Sequence, residues 1–210
     1  GVRNFVVNEI PETASSFQDA NFLIVPNPLK ALQRLASKHR EQFQVPVIGI
    51  TGSNGKTVVK EWLYQLLSPD RVITRSPRSY NSQIGVPLSV WLMNEHTELG
   101  IFEAGISEMG EMEALRPIIQ PTIGILTNIG GAHQENFSSL QEKCMEKLQL
   151  FKDCDVIVYN GDNELIASCV TKSLFTAREI AWSTKDSERP LFIEKILKDD
   201  TGTTIKYLSL

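Results

Sequence analysis

Residues 47–67 read VIGITGSNGKTVVKEWLYQLL, an apolar run, a loop with two glycines and a longer amphipathic segment. The run Val47–Thr51 predicts a strand, and Lys56–Leu67 predicts a helix that the following serine and proline end. A glycine-bearing loop between a strand and a helix lets backbone N–H groups converge on phosphate oxygens, and the helix N-terminus adds positive potential. This segment therefore predicts a phosphate-binding loop.

The side chains of this loop are the first candidate ligands for a nucleotide. Lys56 is expected to reach the β- and γ-phosphates of a nucleotide, and the Thr57 hydroxyl is expected to coordinate Mg²⁺. Ile50 stands where the strict P-loop pattern has its first glycine. The alternative, a glycine turn with a solvated lysine, fits the strand–loop–helix setting less well. The predicted nucleotide-binding residues of the loop are Thr51, Gly52, Ser53, Asn54, Gly55, Lys56 and Thr57.

On both sides of the loop, the sequence alternates between apolar runs and segments of helical periodicity. Strands are predicted at 21–26, 72–74, 101–104, 123–127 and 156–159, and helices at 29–43, 86–94, 111–119 and 139–151. Apolar runs separated by helices indicate a parallel sheet between helix layers. Near the C-terminus, 191–197 and 203–208 flank the turn sequence Asp-Asp-Thr-Gly, which predicts a hairpin. The expected fold is therefore α/β, with a mostly parallel P-loop-type sheet flanked by helices and a small C-terminal antiparallel addition.

The composition of the 210 residues is that of an ordinary globular protein, with 41% hydrophobic and 22% charged residues. The formal net charge of −4 gives no broad attraction to nucleic acid or to an anionic membrane, so phosphate binding has to be local. No apolar run approaches the roughly 18 residues of a membrane span. Cys144, Cys154 and Cys169 lack metal-binding spacing and are predicted to be reduced thiols. We therefore expect a cytoplasmic protein without a nucleic-acid or membrane partner.

Polar side chains follow several of the predicted strands, at the edge where a parallel sheet binds its ligands. Glu103 ends one strand and is predicted to coordinate Mg²⁺ opposite the phosphate loop. A carboxylate at such a crevice is expected to be solvated rather than packed. His133 follows the next strand, and three consecutive strand ends of this kind favour a binding site over a structural histidine. The amide-rich turn with Asn81 and Ser82 is able to bond phosphate or substrate oxygens.

These segments together resemble the central domain of the Mur ligases, which add amino acids or dipeptides to the peptidoglycan precursor. The resemblance covers roughly residues 45–165. It rests on the loop T-G-x-N-G-K-T, on Glu103 followed by Ala-Gly, and on Asn128 with His133 five residues later. Within the family, NSQIGVP at 81–87 and GISEMGEM at 105–112 look most like the ligases that join D-alanyl-D-alanine to a UDP-MurNAc-tripeptide.

The resemblance implies an ATP-dependent ligase that forms an amide bond through an acyl phosphate, with ATP and Mg²⁺ as cofactors. It implies that Thr57 and Glu103 hold one Mg²⁺ and that His133 holds a second. Lys147 aligns with a lysine that many family members carbamylate, and the carbamate would also hold Mg²⁺; a solvated helix lysine is the alternative. The implied catalytic residues are Lys56, His133 and Lys147. The further residues implied to bind nucleotide or substrate are Asn128 for the nucleotide and Asn81 and Ser82 for the substrate.

The same resemblance divides the chain into two parts. Residues 1–44 are expected to be the end of an N-terminal domain for the UDP-linked substrate, with its linking helix, and residues 45–210 the central ATP-binding domain. Most of the N-terminal domain and the C-terminal ligase domain would then belong to a longer parent chain, and the fragment by itself would be inactive. The implied partners are UDP-MurNAc-tripeptide, D-alanyl-D-alanine and the missing domains of the parent chain.

Three other functions compete with this interpretation. Another ligation step of the same family, or a folylpolyglutamate synthase, would share the ATP core, although the synthase lacks the pattern at 81–87. A P-loop GTPase or switch protein is disfavoured because no Asn-Lys-x-Asp motif for guanine follows a strand. The third alternative is a non-catalytic module that retains affinity for ATP.

Overall fold

The helices and strands of the chain assemble around one large sheet. The computed structural model describes residues 2–17, 19–131 and 136–209. The strands in these ranges are β1 Asn4–Val7, β2 Asn21–Ile24, β3 Val47–Thr51, β4 Ile73–Arg75, β5 Leu99–Glu103, β6 Ile123–Leu126, β7 Val156–Asn160, β8 Arg178–Ser183, β9 Leu191–Asp199 and β10 Gly202–Ser209. The helices are α1 Pro28–Arg40, α2 Lys56–Leu67, α3 Gly85–Val90, α4 Glu111–Ile119, α5 Leu140–Leu148 and α6 Glu164–Ser173, with short 3-10 helices at Glu12–Ser16 and Gln149–Phe151. A bilayer-crossing helix is not found in these ranges, where the longest helix, α1, has 13 residues.

The large sheet has its described strands in the order β10-β9-β8-β7-β6-β3-β5-β4. Neighbouring strands from β9 to β4 run parallel, and the β9–β10 hairpin at the C-terminal edge is antiparallel. β3 lies between β5 and β6, so the loops that follow these three strands share one edge of the sheet. The predicted mostly parallel sheet with a small C-terminal antiparallel addition is confirmed.

Helices cover the two faces of this sheet unequally. α2 packs on one face, where Leu63 and Leu67 contact the apolar cluster that contains Ile50 and Ile101. The other described helices lie on the opposite face and contribute to the larger core, which includes Phe102 of β5. β3 is buried along its whole length because helices cover both of its faces.

A buried arginine fixes α1 to the helix layer. Arg40 lies in the last turn of α1, and its guanidinium donates to the carbonyls of Ile119 at 3.0 Å and Gln120 at 3.2 Å. These carbonyls belong to the C-terminal end of α4, where a helix leaves such groups without intrahelical partners. The same guanidinium donates to the carbonyls of Phe43 and Val45 in the link to β3. One side chain therefore holds together α1, α4 and the entry into the central strand.

Several elements differ from the sequence-based expectation. The sequence analysis did not predict β1, β8 or α6. A signal for α6 was present in Asn163, which caps this helix by accepting from the N–H of Ile166 at 3.1 Å. The helix predicted at 86–94 ends at Val90, because the N–H groups of Leu92 and Met93 bond to carbonyls three residues back instead of four. The helix predicted at 139–151 likewise narrows to a 3-10 turn after Leu148.

Gly124 in β6 is expected to tolerate no side chain. A Cβ built there would lie 2.5 Å from Cδ1 of Phe151, whose ring is fully buried. Gly124→Ala should therefore lower the free energy of unfolding by about 1–3 kcal/mol through overpacking, as measured by urea denaturation. Gly202→Ala is the control, because a Cβ there has no neighbour within 4 Å in the described part of the chain. Equal stability of the Gly124 variant and the native chain would contradict this account of the core.

Candidate active site

The predicted phosphate loop lies between β3 and α2, at the middle of the sheet edge. Gly55 is the N-cap residue of α2 with a φ of +81°, and Gly52 has a φ of +144°. Glycine adopts such values easily, whereas residues with a Cβ rarely do. A Cβ on Gly52 would also lie 2.0 Å from Oγ1 of Thr127. The two glycines thus turn the chain sharply into α2, whose first N–H groups have no intrahelical partners and can receive an anion.

The loop that follows β6 braces the phosphate loop. The side-chain oxygen of Asn128 accepts from the N–H of Asn54 at 2.8 Å, and the Asn128 carbonyl accepts from the N–H of Ser53 at 2.9 Å. The Ser53 hydroxyl donates to the Gly130 carbonyl and accepts from the Gly130 N–H. Asn128 therefore contacts the phosphate loop itself, and its predicted contact with a nucleotide stays a prediction.

Two predicted hydroxyl groups serve the local structure. Oγ1 of Thr51 is buried and donates to the Ala104 carbonyl at 2.8 Å, which ties β3 to the end of β5. Oγ of Ser82 accepts from the N–H of Gly85 at 3.1 Å, at the start of α3. The Thr51 side chain is therefore closed to a ligand, whereas Ser82 remains partly accessible from the cavity described below.

Lys56 is the first residue of α2, and its side chain turns back over the loop. The ammonium donates to the Gly52 carbonyl at 2.8 Å. Burial lowers the pKa of Lys56, the carboxylate of Glu103 opposes this effect, and the positive charge of Lys143 adds to it. The ammonium thus lies beside the glycine turn, where it would meet a phosphate held by the loop.

Glu103 at the end of β5 is completely buried, so the expectation of a solvated carboxylate is wrong. Oε2 accepts from Oγ1 of Thr57 at 3.0 Å and from Nδ2 of Asn81 at 3.3 Å. Oε1 lies 2.9 Å from the ammonium of Lys60 in α2, but it accepts no hydrogen bond of good geometry from the described residues. The buried negative charge is tolerated because Lys60, equally buried, balances it. The structure thus brings Thr57 and Glu103 together, as the magnesium hypothesis requires.

The donor atoms around Glu103 suit a magnesium ion. Carboxylate and hydroxyl oxygens are hard ligands, and Mg²⁺ at nucleotide sites takes few protein ligands and completes its shell with phosphate and water. Within residues 2–17, 19–131 and 136–209, no three His, Cys, Asp or Glu side chains converge in a way that could hold a metal. Mg²⁺ that binds together with a nucleotide needs fewer protein ligands, and Thr57 and Glu103 could supply them.

A cavity of about 460 Å³ opens beside the phosphate loop. Its walls come from the start of α1, the loop before α3, the segment after β5, and α5. The predicted site residues that line it are Gly52, Ser53, Lys56, Asn81, Ser82 and Lys147. Residues from distant parts of the sequence therefore share one cavity at the carboxyl ends of the parallel strands, where such sheets bind their ligands.

Lys147 in α5 is only 2% exposed, which excludes the alternative of a solvated helix lysine. Burial lowers its pKa to about 7, and the positive charges of Lys56 and Lys143 add to this shift. Lys143, one turn earlier, is also buried and donates to the Gly130 carbonyl at 2.7 Å. Burial therefore favours the uncharged amine of Lys147, the form that reacts with CO₂.

The remaining predicted residue, His133, lies outside the described residues, so its roles as metal ligand and catalyst stay predictions. Two lysines near the site were not predicted, Lys60 and Lys143, which are both buried. Lys60 follows Lys56 by four residues and precedes Leu63 by three, the spacing of one helix face. The burial of Lys60 could therefore have been predicted from the sequence, because this lysine occupies the same helix face as the apolar residues of α2.

Sequence comparison connects this chain with known proteins. The sequence model of the Mur ligase middle domain matches residues 50–210. Over 170 residues the chain is 33% identical to the UDP-N-acetylmuramoyl-tripeptide–D-alanyl-D-alanine ligase of Bacillus subtilis. The aligned part makes up 78% of this chain and 37% of that relative. The chain thus spans little more than a third of the relative's length.

Solved structures share the fold. MurF from Acinetobacter baumannii matches 97% of this chain with a TM-score of 0.81 and 22% sequence identity, over 46% of its own length. The MurF ligase from Thermotoga maritima, solved in complex with ADP, matches 89% of this chain with a TM-score of 0.78 and 24% identity, over 43% of its own length. At these identities the likeness establishes the fold alone.

Proposed function

This chain belongs to the Mur ligase family, and from that premise we propose that it is the nucleotide-binding core of a ligase that joins D-alanyl-D-alanine to a UDP-MurNAc-tripeptide. The observation that carries the proposal is the single cavity lined by Lys56, Asn81 and Lys147. The name of the Bacillus subtilis relative and the ADP bound to the Thermotoga maritima structure support it. The proposed reaction forms an amide bond by way of an acyl phosphate, with ATP converted to ADP and phosphate.

The activity is assigned to a longer parent chain, because this chain spans only 37% of the relative. Residues 1–44 are proposed to be the end of the N-terminal domain with its linking helix, and residues 45–210 the ATP-binding domain. The pair β1–β2 forms a sheet of its own, whereas α1 packs on α3 and α4. The rest of the UDP-substrate site and a domain that closes over the nucleotide are proposed to lie elsewhere in the parent chain.

The phosphate loop is proposed to hold the β- and γ-phosphates of ATP. Backbone N–H groups of residues 55–57, at the start of α2, receive the phosphate oxygens, while Asn128 holds the N–H groups of Ser53 and Asn54 and so keeps the loop in shape. The ammonium of Lys56 faces the phosphoryl group that is transferred and offsets its growing negative charge. Positioning and electrostatics, rather than covalent chemistry by the protein, are the expected sources of catalysis.

Thr57 and Glu103 would hold one Mg²⁺, and His133 with a carbamylated Lys147 would hold a second. Such ions supply positive charge to the phosphate oxygens and to the acyl phosphate. The protein's own contribution is geometric: Oε2 of Glu103 lies within 3.0 Å of the Thr57 hydroxyl. Lys147 contributes an amine whose pKa of about 7 favours the neutral form, which would bond through nitrogen to CO₂ and release a proton to give the carbamate anion.

Asn81 and Ser82 are proposed to orient the carboxyl end of the tripeptide. Asn81 lies between the proposed metal ligand and the cavity, since its amide donates to Glu103 and its carbonyl accepts from the N–H of Gly105 at 2.7 Å. Fixing the carboxylate there places it at reacting distance from the phosphate held by the loop. A cytoplasmic location is proposed with this activity, because the three described cysteines are free and buried thiols.

The test is ligation by the full-length parent protein. ADP, phosphate and the pentapeptide product are expected together only when ATP, Mg²⁺, UDP-MurNAc-tripeptide and D-alanyl-D-alanine are all present. A panel of shorter UDP-MurNAc-peptides and other amino-acid acceptors serves as control, with the product identified by mass spectrometry. Turnover with glutamate and a folate, or with an earlier precursor of the panel, would assign the protein to another ligation step. Residues 1–210 alone are expected to bind ADP weakly and to form no product.

A further inference from the structure

Lys60 is a completely buried lysine that none of the roles proposed above uses. Its ammonium donates to the carbonyls of Ser76, at 2.8 Å, and of Arg78. It also lies 2.9 Å from Oε1 of Glu103 and 3.2 Å from Oε1 of Glu61. An ammonium has three N–H donors, and the two carbonyls accept from two of them, whereas the two carboxylate oxygens lie at ion-pair distance. The cation therefore joins α2, the end of β5 and the loop after β4.

The two carbonyls belong to the loop 76–81, which leads from β4 to Asn81. Arg78 has a φ of +49°, a left-handed conformation that is uncommon for a residue with a side chain. The carbonyl of this same residue is the one that Lys60 binds. The charged hydrogen bond therefore stabilises a turn that is unfavourable by itself. Asn81, three residues later, lines the cavity from the position that this turn sets.

The same ammonium also orients the carboxylate of Glu103. Because Oε1 faces Lys60, Oε2 is left to accept from Thr57 and from Asn81. A buried ion pair adds little net stability, since loss of hydration offsets most of the attraction. What such a pair does supply is a fixed direction for both partners.

We propose that Lys60 is a positioning residue that fastens the loop 76–81 to Glu103, so that Asn81 and Thr57 both reach one oxygen of that carboxylate. Lys60 is 0% exposed and so touches neither nucleotide nor peptide. The consequence for a metal rests on the proposed function, in which Glu103 is a metal ligand. The consequence for the loop is independent of it.

The experiment compares Lys60→Met with the native chain by hydrogen–deuterium exchange. Methionine keeps the length and the apolar stem but removes the three donors. Amides of residues 76–81 are expected to exchange about tenfold faster or more, the effect of losing a charged hydrogen bond, while the amides of α2 stay protected. Glu61→Gln is the matched control, because Glu61 is another charged neighbour of Lys60 and has no hydrogen bond or ion pair with residues 76–81 or Glu103 among the described contacts. It also removes the pair with Arg75 at the end of β4, so any exchange change that this pair causes at 76–81 is measured in the control. Unchanged exchange at 76–81 in folded Lys60→Met would overturn the proposal.

A double variant, Lys60→Met with Glu103→Gln, protects the test against misfolding. It removes both charges of the buried pair, so no uncompensated carboxylate is left inside the protein. Fast exchange at 76–81 is expected here too, because the two loop carbonyls still lack their donor. If both variants fail to fold while Glu61→Gln folds, Lys60 is a folding residue and the proposal is overturned.

A second measurement follows the metal directly. Binding of Mn²⁺ to the chain with ADP is measured from the electron paramagnetic resonance signal of free Mn²⁺. Lys60→Met is expected to weaken Mn²⁺ binding about tenfold and to leave the affinity for ADP without metal unchanged. Native-like Mn²⁺ affinity in the variant would overturn the orienting role. If the native chain binds ADP equally with and without Mn²⁺, the assignment of Glu103 as metal ligand fails instead. The hydrogen–deuterium exchange experiment then still tests whether Lys60 fastens the loop 76–81.

Discussion

Lys56→Ala is expected to lower the turnover of the proposed parent ligase by on the order of 10²–10³-fold or more. Lys56 is the only charged side chain of the phosphate loop, and its ammonium already lies 2.8 Å from the carbonyl of Gly52 in that loop. Without it, the negative charge that develops on the transferred phosphoryl group loses the cation that the loop itself supplies. Phosphate release coupled to peptide formation is the measurement.

The same substitution should leave the fold intact. Position 56 is the first residue of α2, where alanine is a good helix former, and one hydrogen bond to the Gly52 carbonyl is lost. A change in stability of about 1 kcal/mol is expected, read from thermal unfolding. Lys152→Ala, at an exposed lysine, is the matched control and should keep full activity. A turnover equal to that of the native protein in Lys56→Ala would contradict the proposed role of the phosphate loop in the reaction.

Lys147→Ala is expected to reduce activity by a similar factor, on the order of 10²–10³, and short carboxylates should restore part of it. The reason is the proposed carbamate, whose negative charge acetate or formate can supply in the space that alanine leaves. With ¹³C-labelled CO₂, the native chain should show a carbamate carbon by NMR, and the variant should lack it. Lys172→Ala in α6, an exposed lysine, is the control for both measurements. A fully active Lys147 variant, or a native chain without the labelled carbon, contradicts the proposal.

The pH dependence of Lys147 has a defined sign. Burial, with Lys56 and Lys143 nearby, lowers its pKa to about 7 from its ordinary value of 10.5. The neutral amine, and with it CO₂ uptake, therefore increases as the pH rises through 7. In CO₂-free buffer the unfolded chain binds more protons than the folded chain between about pH 7 and 10.5, so stability should rise with pH across that window. Lys147→Ala should flatten this rise, as measured by urea denaturation at several pH values.

The sequence alone determined the architecture, because the signals for it are local. An apolar strand, a glycine loop and an amphipathic helix in succession require only the periodicity of neighbouring residues, and α2 and α4 were predicted with their observed bounds. The glycines of the phosphate loop are equally local, since the φ values of Gly52 and Gly55 exclude most other residues. The hairpin β9–β10 followed from its turn residues.

The tertiary structure alone decided which charged groups are buried and what they face. Glu103, expected in solvent, is enclosed with Lys60, a residue 43 positions away in the sequence. From the sequence Lys147 was compatible with a solvated helix lysine, yet the packing of α5 buries it and lowers its pKa. The physical reason is that the hydration of a charge depends on every element packed around it. A pattern of neighbouring residues reports the period of a helix, but it does not report which distant segments remove water from its charges.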